Sequence, residues 1–243
     1  MNSCHVLSVT GLILLTISSL SEAGSASFKI VNNCRRTIWP GLLTSMTGQL
    51  PTTGFALKSG ESKNISIPKP WTGRLWGRTH CVQDSSGKFT CLTGDCGSEA
   101  IECGGGPYPP VTMAEFSLEN LGGMDFYDVS VVDGFNLPML VEVKGPSGVC
   151  DTAGCLVDLN GACPMVLSVL AGEDGRVGEV VACRNGCGVE ASSDPAAVAS
   201  KCDRKLYSKI FRSACPRAYT NPYDDKIGTL VCTSAEYVVT FCP

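Results

Sequence analysis

Apolar and polar residues alternate over short stretches along most of this chain. Phe28 and Ile30 flank Lys29, Ile65 and Ile67 flank Ser66, and Ala114, Phe116 and Leu118 are separated by Glu115 and Ser117. A period of two puts every second side chain on one face, so these stretches predict half-buried antiparallel strands. Arg74 to Thr79, Phe126 to Val132, Met139 to Val143, Thr229 to Cys232 and Tyr237 to Cys242 predict further strands, separated by Gly, Pro and Asn clusters. Many short strands predict a β-sandwich or barrel. Between Cys150 and Cys215 the pattern changes: seven cysteines accumulate, and Leu206, Tyr207, Ile210, Phe211 and Ala214 share one helical face behind Asp203 as N-cap. This predicts a small cysteine-rich helical subdomain inserted between strands, and Cys81 to Cys103 predicts a second, tighter disulfide lobe.

The first residues form a separate unit. Val6 to Leu20 is apolar and ends in Ser21-Glu22-Ala23, the pattern of a secretory signal peptide removed after roughly Ala23. The run is shorter than the ~20 residues that a membrane-spanning helix needs, so an exported chain without a stable membrane anchor is expected. Of 15 cysteines only Cys4 lies in this leader. The 14 that remain are even in number and bound for an oxidising compartment, which predicts a full disulfide set.

Charge and histidine content narrow the chemistry. The whole chain carries 19 basic and 23 acidic residues; the leader takes Glu22 and no Lys or Arg, leaving a mild acidity with no basic run. Nucleic acid is therefore not expected as a partner. His80 is the one histidine after the leader, so neither a Ser-His-Asp or Cys-His enzyme nor a zinc site around Cys183 and Cys187 or Cys91 and Cys96 is expected, and no cofactor or metal is. Asn64-Ile65-Ser66 is an N-glycosylation sequon, and burial of Ile65 and Ile67 would point Asn64 outward.

The run Gly87-Lys88-Phe89-Thr90-Cys91-Leu92-Thr93-Gly94-Asp95-Cys96, followed by Cys103, closely resembles the signature of the thaumatin-like, osmotin-type pathogenesis-related family. Val31-Asn32-Asn33-Cys34, Trp76-Gly77-Arg78-Thr79, Ala114-Glu115-Phe116-Ser117-Leu118, Asp133-Gly134-Phe135-Asn136, Cys215-Pro216 and Thr240-Phe241-Cys242-Pro243 extend the resemblance over almost the whole chain after the leader. Ser98 and Glu99 depart from the Gly or Gln common in the family there. The resemblance implies a mainly β fold: an antiparallel β-sandwich core in three parts (residues 24–80, 104–149 and 216–243), a small disulfide lobe (81–103) and a cysteine-rich helical domain (150–215). It also implies the pairs Cys34 with Cys242, Cys81 with Cys91, Cys96 with Cys103, Cys150 with Cys232, Cys155 with Cys215, and Cys163 with Cys183. The family usually has sixteen cysteines; an adjacent pair is replaced here around Ala196 to Ser200, so that Cys187 is expected to join Cys202.

Family members with antifungal activity share one arginine and four acids lining a cleft between the sandwich and the cysteine-rich domain. The matching positions here are Arg74, Glu115, Asp128, Asp133 and Asp224, with Asp225 beside the last. Alternation with Ala114 and Phe116, and with Tyr127 and Val129, turns Glu115 and Asp128 away from the core; Asp133 precedes Gly134 and so falls at a turn on the rim. Several carboxylates around one guanidinium suit the hydroxyls of a sugar polymer. The resemblance thus implies a secreted, monomeric, extracellular defence protein that binds β-1,3-glucan or another fungal wall polysaccharide. At most it implies a weak endo-β-1,3-glucanase, with Glu115 and Asp133 as the catalytic pair. The other class kept open is a protein-interaction module, an inhibitor of foreign hydrolases or a membrane-perturbing antifungal, acting without carbohydrate hydrolysis. The chain ends at Cys242-Pro243 without the tail usual in vacuolar members, which favours the extracellular space.

Overall fold

The computed structural model describes residues 25–46, 48–144, 150–172, 178–185, 204–220, 229–233 and 236–243. The leader, Asp203, Cys187, Cys202, Asp224 and Asp225 lie outside the described residues. In chain order the strands are β1 (Ser25–Asn32), β2 (Trp39–Thr44), β3 (Ser62–Pro68), β4 (Trp71–Gln83), β5 (Phe89–Thr93), β6 (Met113–Asn120), β7 (Met124–Ser130), β8 (Met139–Lys144), β9 (Ala153–Cys155), β10 (Ser168–Ala171) and β11 (Glu179–Cys183). The helix α1 (Arg204–Ala214) follows, and then β12 (Leu230–Cys232) and β13 (Glu236–Phe241). One sheet has the order β3-β1-β13-β8-β9; a second runs β12-β7-β6-β4-β2, with β5 continuing from β4; β10 and β11 form a separate hairpin.

The two larger sheets face each other across an aromatic core. Phe28 of β1 lies 4.5 Å from Phe116 of β6 and 5.8 Å from Trp71 of β4, and Tyr237 of β13 stacks edge-on against Phe28, Phe116 and Tyr127. All five rings are buried. The alternation in β1, β6 and β7 supplies this layer, as the sequence leads one to expect, because each strand turns one apolar face inward. One ladder departs from antiparallel pairing: β1 runs parallel to β13, from Ser27 opposite Glu236 to Asn32 opposite Phe241. Period-two alternation assigns faces and says nothing of a partner's direction, so this pair could not be read from the pattern.

Beneath the rings, buried Asp125 accepts hydrogen bonds from Tyr237 Oη (2.5 Å), Lys69 Nζ (3.1 Å) and the Glu119 amide (2.7 Å). Six disulfides join described cysteines: Cys34–Cys242, Cys81–Cys91, Cys96–Cys103, Cys150–Cys232, Cys155–Cys215 and Cys163–Cys183. In α1, Phe211 is buried in the main core, and the Cys215 amide closes the helix by donating to the Phe211 carbonyl at 2.7 Å. Among the described residues no helix is long and apolar enough to cross a membrane.

Candidate functional site: an acidic row on the outer face of the second sheet

The outer face of the second sheet is built in rows, because residues opposite each other in a ladder share a face. Register places Trp76, Met113 and Ser130 in one row, Arg74, Glu115 and Asp128 in the next, and Thr72, Ser117 and Phe126 in a third. The first row is largely covered. Trp76 and Met113 pack with Cys96, Cys103 and Val111 in a second apolar cluster, and Trp76 Nε1 donates to the Gly94 carbonyl at 2.8 Å. The disulfide lobe thus closes over one end of the sheet face and stops short of the Arg74 row. A cleft of about 290 Å³ begins there, lined by Arg74, Met113, Glu115, Asp128, Ser130, Val132, Asp133 and Tyr219. That is at the small end of ligand pockets, which run from about 300 to 1,000 Å³; a polymer would lie through such a groove rather than be enclosed by it.

Four of the five residues expected at the site meet in this cleft; the fifth, Asp224, lies outside the described residues. Arg74 Nε donates to Glu115 Oε1 at 2.7 Å, with both side chains partly open to solvent. On the other side of Glu115, Asp128 stands directly opposite across the β6–β7 ladder. Its Oδ1 is buried and has no hydrogen-bond partner among the described residues. Burial, with the nearby charge of Glu115 added to it and Arg74 pulling the other way, pushes the Asp128 carboxyl up to about 7.

Asp133 reaches the rim from the turn after β7. Gly134 there has a φ of +99°, and a Cβ at that position would stand 2.5 Å from Pro110 Cβ and 2.7 Å from the Cys183 carbonyl oxygen. Only glycine suits both the left-handed backbone and the gap. Two residues on, buried Asn136 fixes the turn to β4 and β5: its Nδ2 donates to the Gly77 carbonyl (2.8 Å) and to Thr93 Oγ1 (3.0 Å), and its Oδ1 accepts from the Thr112 amide (3.0 Å).

Tyr219 is a lining residue that sequence reasoning missed. Its amide donates to the Val129 carbonyl and its carbonyl accepts from the Val131 amide, both at 2.8 Å, so the segment after α1 forms a wall alongside the end of β7. Nothing in the period of that segment marks it as a strand partner. Sequence reasoning also gave His80 no role, yet the imidazole accepts from Arg36 Nη1 at 2.5 Å, while Arg36 Nη2 donates to Glu179 at 2.9 Å. This triad borders a second cavity of about 250 Å³, with Arg35, Asp158 and Asn160 also at its wall. Asn64 stands exposed on β3, the edge of the first sheet.

Comparisons with known proteins agree with this architecture. The model of the thaumatin family matches residues 32–243. A protein of Prunus avium named glucan endo-1,3-beta-glucosidase is 46% identical over 237 residues, covering 94% of this chain and 95% of its own. Pathogenesis-related protein 5 of Arabidopsis thaliana is 41% identical over 247 residues, covering 98% and 99%. Among solved structures, a thaumatin-like xylanase inhibitor superposes with a TM-score of 0.50 at 26% identity, covering 89% of this chain and 99% of that one.

Proposed function

We propose, from the premise that this chain belongs to the thaumatin family, that it is a secreted defence protein acting on fungal walls by binding β-1,3-glucan in the acidic cleft. The observation that carries this reading is the row Arg74, Glu115, Asp128, three polar groups in register across three adjacent strands and open to one groove. A strand-to-strand step of ~4.8 Å spaces these groups on the scale of a sugar ring, so that successive hydroxyls can meet the Arg74 donor, the Glu115 acceptor and the second acid, Asp128, in turn. Asp133 on the rim adds a further acid to the set. The similarity to the Prunus avium glucan endo-1,3-beta-glucosidase, at 46% identity, supports the same substrate class. Turnover of the bound glucan, as an endo-β-1,3-glucanase, is the finer part of the proposal and would turn on Glu115. Export through the leader and an extracellular site of action belong to the same reading.

The test is retention on insoluble β-1,3-glucan with a reducing-end assay on the same sample. Wild type is expected to be retained; Glu115→Gln, which keeps shape and hydrogen bonding without proton transfer, is expected to stay bound and to release no reducing ends. Retention with equal low activity in both proteins would point to a contaminating hydrolase and leave a binder without turnover. The structural similarity to a xylanase inhibitor favours a second reading, recognition of a foreign hydrolase. Failure of wild type to bind glucan or release sugar would move the assignment there.

A further inference from the structure

The cleft contains one carboxyl whose surroundings fit a proton better than a charge. Asp128 faces Glu115 across the ladder, and the Arg74 guanidinium is already engaged by Glu115 at 2.7 Å. Its buried Oδ1 has no donor among the described residues. An ionised Asp128 would leave a charged oxygen in that place without a hydrogen bond and beside a second negative group; a neutral acid leaves only a carbonyl oxygen there and keeps the proton on the other oxygen. Among the described residues, the titratable groups that line the cleft with it are Arg74 from β4, Glu115 from β6, Asp133 from the turn after β7 and Tyr219 from the segment beside β7. Of these only Arg74 favours the charged form. The upward shift to about 7, caused first by burial and then by Glu115, agrees with this geometry.

We propose that Asp128, rather than Asp133, is the proton-bearing carboxyl of the cleft, meeting the glucan as a hydrogen-bond donor beside an ionised Glu115 that accepts. This rests on the glucan reading above and adds to it a dependence on pH. Opposed residues of an antiparallel pair carry Cβ atoms about 4.5–5.5 Å apart, so one sugar unit can receive a hydrogen bond from Asp128 and give one to Glu115. Loss of the proton replaces the donor with a second anion, and the bound sugar then loses a partner.

Curdlan retention of wild type, Asp128→Asn and Asp133→Asn, measured from about pH 5 to about pH 9 on either side of neutrality, tests this. Wild-type affinity is expected to be level at the acid end and to fall by up to about tenfold per pH unit above neutrality. Asp128→Asn keeps a donor and cannot ionise, so its retention should be independent of pH; Asp133→Asn should keep the wild-type dependence. A wild-type profile that is flat, or a pH dependence that survives in Asp128→Asn, overturns the assignment. No retention of wild type at any pH overturns the glucan reading itself, and carboxyl ¹³C shifts of Asp128 in the free protein then decide protonation separately. A midpoint near neutrality upholds the proton on Asp128, and one in the ordinary aspartate range overturns it.

Discussion

Arg74 and Arg78 point to the same face of one strand and have opposite fates, because the disulfide lobe covers one and stops before the other. Arg78 is fully buried, and its guanidinium donates to the carbonyls of Trp39 (3.0 Å), Pro40 (3.4 Å) and Ile101 (2.5 Å). Loss of water lowers its pKa to about 10, against the pull of Asp95 and Glu102, and it stays charged at any ordinary pH. Arg78→Met removes the donors and leaves those carbonyls without them. Denaturant unfolding is expected to show a loss of about 3 kcal/mol or more, and a change under 1 kcal/mol would count against this role. Arg74 is half open to solvent, so Arg74→Ala should leave stability nearly unchanged. Glucan retention should instead weaken about tenfold, the low end for a charged hydrogen bond. Equal retention by Arg74→Ala and wild type would remove Arg74 from the binding row. Alternation in the sequence assigns both arginines to the outer face; it carries no sign of the lobe that separates their roles. The burial of Asp128 was unreadable for a similar reason, since Tyr219 comes to the end of β7 from a distant part of the chain.

At the level of elements, strands were readable where apolar and polar residues alternate, as in β1, β3 and β6, and α1 was readable from its apolar spacing. The short strands β9, β10 and β11 were not, because three to five residues among cysteines and glycines carry too little pattern to set against a loop. The faces of β4, β6 and β7 could be read, but the register that aligns Arg74, Glu115 and Asp128 depends on ladder pairing between separate segments. A further joint between elements is the triad of Arg36, His80 and Glu179, which ties the segment after β1 and the far end of β4 to β11. Arginine only donates, so the His80 nitrogen that meets it must be the unprotonated acceptor of a neutral ring. Burial, then the charge of Arg36, lowers the His80 pKa, with Glu179 opposing. The unfolded chain therefore binds this proton more readily. The contribution of the neutral ring is present above the ordinary histidine value and is lost as pH falls through the lower folded-state value. Urea midpoints of wild type should drop between about pH 7 and about pH 5 by more than those of His80→Gln; parallel curves for the two proteins would show that the joint does not titrate.

Across the whole molecule, Cys34–Cys242 spans 208 positions and links the segment after β1 to the residue that follows β13. Loop-closure entropy for a ring of that length amounts to roughly 5 kcal/mol of unfolded-state freedom. Replacing both cysteines with alanine should lower the thermal midpoint by several degrees at least, and an unchanged midpoint would mean that the β1–β13 ladder alone holds the ends together. That ladder also has a consequence for how the chain is made. β13 lies between β1 and β8 in its sheet, yet it is translated after every other described strand. Until the ribosome has added Phe241, β1 and β8 each keep an edge with nothing to pair with, and the aromatic layer lacks Tyr237. This sheet cannot close before β13 has emerged. In that interval the unpaired edges of β1 and β8 are open to pairing with neighbours.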